Sequence, residues 1–191
     1  QRSSAGSVAD LTTLMKTKGD KASFGAPTGV SLAAAEMYKS LVGIGTLQIP
    51  YKTMQQALLG LSGGDIDFLF ADSTTVLDQV RAGRYRALAV TTEKRSQNAP
   101  NVPTMVESGV SGFQPVPAWF AAALPAGTPV AIADRLNTLF NQILAREETA
   151  NFLRSIGADP FLGSRREMAQ FLVREIENWA KLSRLAKIEP Q

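Results

Sequence analysis

Phe24-Gly25-Ala26-Pro27-Thr28-Gly29-Val30-Ser31 takes the chain from a short apolar run through a turn of small residues into a helical pattern over residues 32–41. A strand that enters a helix through a glycine-bearing turn is the repeating joint of α/β proteins. The joint recurs twice. Residues 45–49 run apolar up to a helix start at Thr53, and residues 66–70 do so up to Ala71-Asp72-Ser73-Thr74-Thr75, which opens a helix expected from residue 76. Further strand-like runs lie at 22–24, 86–91 and 119–124. Strands that alternate with helices, several of them continuously apolar, predict a mostly parallel sheet flanked by helices, and the fold class is α/β.

Helix ends are spelled out locally. Ser7 is placed to cap a helix through Val8, Leu11, Leu14 and Met15, with Asp10 in its first turn and Gly19 past its end. Thr53 with Gln56, and Ser164 with Glu167, have the spacing at which a hydroxyl and a longer polar side chain satisfy each other's free amides. Pro129 reads as the first residue of a long core helix carrying Ile132, Leu136, Leu139, Phe140 and Ile143 on one face. Met168, Phe171, Leu172, Ile176, Trp179 and Leu182 mark a last amphipathic helix whose stripe is expected to be core. Between residues 93 and 117, Pro100, Pro103, Pro115 and Pro117 with Gly109 and Gly112 forbid a long regular element, so this stretch reads as a connector between two lobes.

Composition closes off much chemistry. With 45% hydrophobic residues over 191 positions the chain can fill a core. Its lack of histidine removes Ser-His-Asp triads and imidazole metal sites, and its lack of cysteine removes disulfides and thiolate clusters. No pair of carboxylates is placed as an acid and a base; Asp65 and Asp67 read as solvated residues flanking a strand start. No catalytic residue, metal ligand or cofactor site is expected. The net charge of +3 is scattered rather than gathered in a stripe, which argues against nucleic acid and suits a small anion.

Two loops are candidates for holding that anion. The first is Ala26, Pro27, Thr28, Gly29, Val30 and Ser31, where a helix N-terminus offers free amides and the positive end of its dipole; Ser31 is read as the cap. It matches neither a P-loop nor a dinucleotide fingerprint. The second is Asp72, Ser73 and Thr74, where Asp72 either caps the next helix or accepts from a ligand. Ligands in open α/β sheets sit beyond the carboxyl ends of the strands, so the two loops are expected to share one crevice. Tyr51 and Lys52 read as its rim.

Taken in order, Ile49-Pro50-Tyr51-Lys52, Gly63-Gly64-Asp65-Ile66-Asp67 and Arg81-Ala82-Gly83-Arg84-Tyr85-Arg86-Ala87-Leu88-Ala89-Val90-Thr91-Thr92 form a recognisable set. Lys94-Arg95-Ser96, Val102-Pro103-Thr104, Glu107-Ser108-Gly109 and Pro125-Ala126-Gly127-Thr128-Pro129 extend it. The set strongly resembles the Bug family, the TctC-like receptors of tripartite tricarboxylate transporters, from about residue 7 to Pro190. The resemblance implies a two-lobed periplasmic binding protein of the type II class, without catalysis, that closes on a small mono- or dicarboxylate and hands it to membrane permease subunits. It divides the chain into a second lobe, 1–112, and the C-terminal part of a first lobe, 113–191, with the crossover strand and the last helices.

The chain departs from the family pattern in three places. Family members carry an opening part of the first lobe that is not found here, so 113–191 is expected to lack sheet partners. A homodimer or strand sharing follows as one remedy. The turn before Leu32 is about two residues short and without the histidine that often follows it, and Ala71-Asp72 stands where many members have Asp-Asn. The resemblance therefore implies site positions and not a ligand, and the chain alone is expected to bind dicarboxylates weakly or not at all. The effector domain of a LysR-type regulator, which shares this lobe architecture, is the alternative reading.

Overall fold

The computed structural model describes residues 3–185. Its centre is a three-stranded parallel sheet in the order β2-β1-β3, with β1 at Ser23–Gly25, β2 at Leu47–Ile49 and β3 at Phe68–Leu69. Parallel strands need long crossovers, and here helices supply them. Helix α1 (Val8–Lys18) leads into β1, α2 (Gly29–Val42) joins β1 to β2, α3 (Met54–Gly63) joins β2 to β3, and α4 (Ser73–Arg81) leaves β3. The chain forms two compact units: residues through Ala118 together with the end of the last helix from Leu182, and Trp119–Lys181.

The first unit has a conventional core. Phe24 stacks on Phe68 at 5.6 Å between ring centroids, and Tyr38 meets Phe68 edge-on at 5.6 Å. Met15, Ala33, Ala34, Ala35 and Met37 are buried around them. Alanines let α2 lie close to the sheet, and the aromatic contacts add about 1 kcal/mol each beyond their buried area. Tyr38 keeps its hydroxyl satisfied on Thr12 at 2.7 Å, while burial pushes its phenol pKa up.

Two strand readings give way to less regular structure. Residues 86–91 form no strand: Val90 makes an isolated bridge to Thr104 and the Thr91 carbonyl accepts from the Val116 amide, while Pro103 beside Thr104 denies the facing segment an amide that a ladder needs. The stretch 93–117 nevertheless packs inside the first unit: Met105, Val110, Phe113 and Val116 are buried, and Phe113 stacks on Phe70 at 6.4 Å. Residues 119–124 form no strand, and no backbone hydrogen bond joins them to another described residue.

The second unit is α5 (Val130–Leu144), α6 (Glu147–Ser155) and α7 (Arg165–Leu185) up to Lys181. Pro129 caps α5 rather than opening it. The reading of α5 as a core helix is corrected by exposure, since Ile132, Leu139, Phe140 and Ile143 are all open to solvent. The α7 stripe is likewise exposed at Leu172 and Ile176. Both helices keep their amphipathic periodicity, with these apolar side chains open to solvent. The end of the family resemblance at Pro190 lies outside the described residues.

Candidate functional site

Register sets the geometry of the sheet's carboxyl edge. Gly25 pairs with Ile49 on one side and with Leu69 on the other, so the three strands end level. From there residues 26–28 lead to α2, 50–53 to α3 and 70–72 to α4. Three helix N-termini therefore stand in a row at one edge, with α2 central. Each carries the partial positive charge of a helix start, which favours an anion.

The central turn is built differently from its sequence reading. Thr28, not Ser31, is the cap: its side chain accepts from the Ser31 amide at 3.2 Å, and Ser31 Oγ accepts from the Thr28 amide at 3.0 Å. Ser31 is buried and spends its hydroxyl within this box. The amides left without an acceptor among the described residues are those of Gly29 and Val30. Ala26 and Pro27 are half-buried beside them, while Thr28 and Gly29 are exposed.

The second loop adjoins it across the β1–β3 pair. Helix α4 starts at Ser73, three residues earlier than expected, and Asp72 occupies the cap position. Its carbonyl accepts from the Thr75 and Val76 amides, but its carboxylate makes no cap bond. A half-buried carboxylate not used for capping is available to a donor on a ligand. Ser73 is exposed and Thr74 half-buried. Stacking of Phe70 on Phe113 and its edge contact with Tyr38 at 6.3 Å hold the root of this loop.

On the β2 side Thr53 caps α3, accepting from Gln56 at 3.2 Å, and Lys52 stands exposed with no ion pair to it among the described residues. Gln56 returns its side chain to the Lys52 amide rather than to Thr53, so the expected box is shifted by one residue. Sequence reasoning missed the role of Tyr51. A β-carbon on Gly60 would meet its hydroxyl oxygen and, at 2.8 Å, its Cζ, while one on Gly25 would meet Ile66 Cδ1 at 2.7 Å and the Tyr51 ring edge at 3.3 Å, so Gly60 is small to admit this ring and Gly25 to admit Ile66 beside it. Glycines at the end of a strand and inside the next helix were the available signal. Asp67 also departs from its solvated reading: its carboxylate accepts from the Ser23 amide at 3.0 Å and pairs with Lys18, tying the start of β3 to β1 and α1.

The chain's relatives give this edge a context. Protein BugT of Bordetella pertussis is 33% identical over 78% of this chain and 45% of its own length. The solved R. palustris protein Rpa4515 with adipate is 31% identical with a TM-score of 0.92, over 98% of this chain and 63% of that one. The solved periplasmic binding protein BugD is 27% identical with a TM-score of 0.89, over 99% and 64%. The chain spans about half the length of the curated relatives it matches. The model of the tripartite tricarboxylate transporter family receptor, TctC, matches residues 2–187, and this chain belongs to that family.

Proposed function

We propose that this chain is part of an extracytoplasmic, periplasmic solute receptor that captures a small mono- or dicarboxylate for the permease of a tripartite tricarboxylate transporter, without catalysis. The carrying observation is the level carboxyl edge, where the free Gly29 and Val30 amides of α2 stand between the starts of α3 and α4. A carboxylate seated there accepts two amide hydrogen bonds and lies on a helix dipole. Asp72, Ser73 and Thr74 flank it on the β3 side. The likeness to an adipate-bound protein at a TM-score of 0.92 supports the ligand class. In this reading residues 1–112 make one lobe's wall of the site, 113–191 belong to the other lobe, and closure of the two excludes water.

The test uses proline as a donor deletion. Gly29 is the first residue of α2, a β-carbon there meets nothing within 4 Å, and Thr28 has the extended backbone a following proline requires. This chain carries one wall of the site, so the binding to be read is weak, and adipate at tens of millimolar is expected to shift the amide resonances of Gly29, Val30 and Thr74 in the native chain. Gly29→Pro weakens the response while leaving the melting temperature within a degree or so, because only one unbonded amide is lost. Adipate, succinate and malate that all leave these resonances unmoved would sink the proposal.

A further inference from the structure

Tyr51 follows β2 by way of Pro50, and its ring stands between two glycines of different elements. A β-carbon on Gly25, the last residue of β1, would lie 3.3 Å from Cδ2 and Cε2 on one edge of the ring. One on Gly60, inside α3, would lie 3.2 Å from Cε1 and 2.8 Å from Cζ on the opposite edge. An aromatic ring is a stiff plate with few rotamers, so a ring packed at both edges works as a spacer between the elements it touches. Gly25 pairs with strands on both sides, and only Ala26 and Pro27 separate it from Thr28, the cap of α2. Proline fixes its own φ and restricts the residue before it, so this link has little slack. A displacement of Gly25 therefore passes to the Gly29 and Val30 amides.

Given the proposed carboxylate seat on that turn, on which this role depends, we infer that Tyr51 is a positioning residue: its ring, through Gly25, sets where the α2 amides stand and so tunes affinity for the ligand. Every part of this linkage lies within the first compact unit. The rest of the β1 end is tightly packed as well. Phe24 is fully buried and stacked on Phe68, and a β-carbon on Gly25 would meet Ile66 Cδ1 at 2.7 Å. The ring edge and not the hydroxyl faces Gly25, which makes phenylalanine the conservative replacement. A side chain that only fills the core changes stability when it is altered. A spacer also moves the turn in molecules that stay folded.

Amide resonances of the folded 191-residue chain test this, first without ligand and then with adipate at tens of millimolar. Without ligand, Gly60→Ala is expected to move the Gly25, Ala26 and Thr28 amides, and to leave them in place in a Tyr51→Leu background, where no ring carries the shift. With adipate, Tyr51→Leu and Gly60→Ala should each weaken binding at Gly29 and Val30 by about threefold or more, as displaced donors do, while Tyr51→Phe binds like the native chain. Should Tyr51→Leu not fold, Tyr51→Met, flexible and apolar, takes its place. Destabilisation alone lowers the folded fraction and not the affinity of the folded molecules, so it does not mimic this result. Amides of residues 25–28 that ignore Gly60→Ala, a folded Tyr51→Leu chain that binds adipate like the native one, or a loss in Tyr51→Phe as large as in Tyr51→Leu would each overturn the inference. Adipate, succinate and malate that leave the native Gly29 amide unmoved sink the carboxylate reading instead, and the ligand-free shifts still decide whether the ring places the turn.

Discussion

Thr28 and Ser31 close on each other across the first turn of α2, hydroxyl to amide in both directions, and so decide which amides of the sheet's carboxyl edge stay open. The box consumes the amides of Thr28 and Ser31 and leaves those of Gly29 and Val30. Thr28→Ala removes one acceptor and the fixed start of the helix. It should cost about 1 kcal/mol, as loss of a hydroxyl cap does, and shift the melting temperature down by a few degrees. Ser31→Ala should cost as much or more because Ser31 is buried. Thermal melts of both variants check this, and a neutral Thr28→Ala would show that the box does not hold the turn.

Gly60 lies inside α3, where alanine ordinarily gains about 1 kcal/mol over glycine. Here the sign should reverse. A β-carbon on Gly60 meets the Tyr51 hydroxyl oxygen and, 2.8 Å away, its Cζ, closer than real β-carbons come to a neighbour, so the ring must shift to admit it. Gly60→Ala is expected to destabilise by roughly 1–3 kcal/mol, the usual range for overpacking. In a Tyr51→Ala background the same substitution should become neutral or stabilising. A double-mutant cycle in urea measures the coupling, and additive effects would mean that the ring does not occupy this slot.

Asp67 joins three elements through one carboxylate, accepting from the Ser23 amide and pairing with Lys18. Its side chain is only 13% exposed, whereas that of Lys18 is 41% exposed. The amide bond should therefore matter more than the ion pair. Lys18→Met is expected to cost less than about 1 kcal/mol, the ordinary worth of a solvent-facing pair. Asp67→Ala, which strands the Ser23 amide, should cost roughly 1–3 kcal/mol. Urea unfolding orders the two variants, and an equal loss in both would assign the effect to the pair.

The joints were the legible part of this sequence, because a cap, a box or a terminal glycine is decided by residues within one turn of each other. Ser7 on Asp10, Ser164 on Glu167 and Gly19 with φ of +54° ending α1 all formed where their spacing placed them. The level edge also followed, since strands alternating with helices put the 26–31 and 72–74 loops at one end of a parallel sheet. Choosing Thr28 over Ser31 as the cap was not legible, because both are hydroxyls at the right distance from a helix start. The strand character of 119–124 misled for another reason. A strand is a property of two segments, and no segment among the described residues pairs with 119–124.

Acid should loosen the chain at these same joints. Glu107 accepts from the Thr104 amide and from Arg95, and these bonds hold its carboxyl below its ordinary value of 4.5. Glu167 at Ser164, and Asp10 at Ser7 and Gly6, are lowered for the same physical reason. A carboxyl that is more acidic folded than unfolded gives up its proton more readily in the folded chain. Its contribution is therefore complete above the unfolded value and is lost as pH falls through the folded one. Melting temperatures should hold steady above about pH 5.5 and decline below 4.5. Glu107→Gln removes that residue's share of the decline while also lowering stability at neutral pH, because the amide accepts more weakly from Arg95 and Thr104. The gap between native and variant melting temperatures should then narrow on acidification. A gap that stays constant from neutral pH down through the acid transition would mean that the Glu107 carboxylate does not stabilise the Thr104 turn.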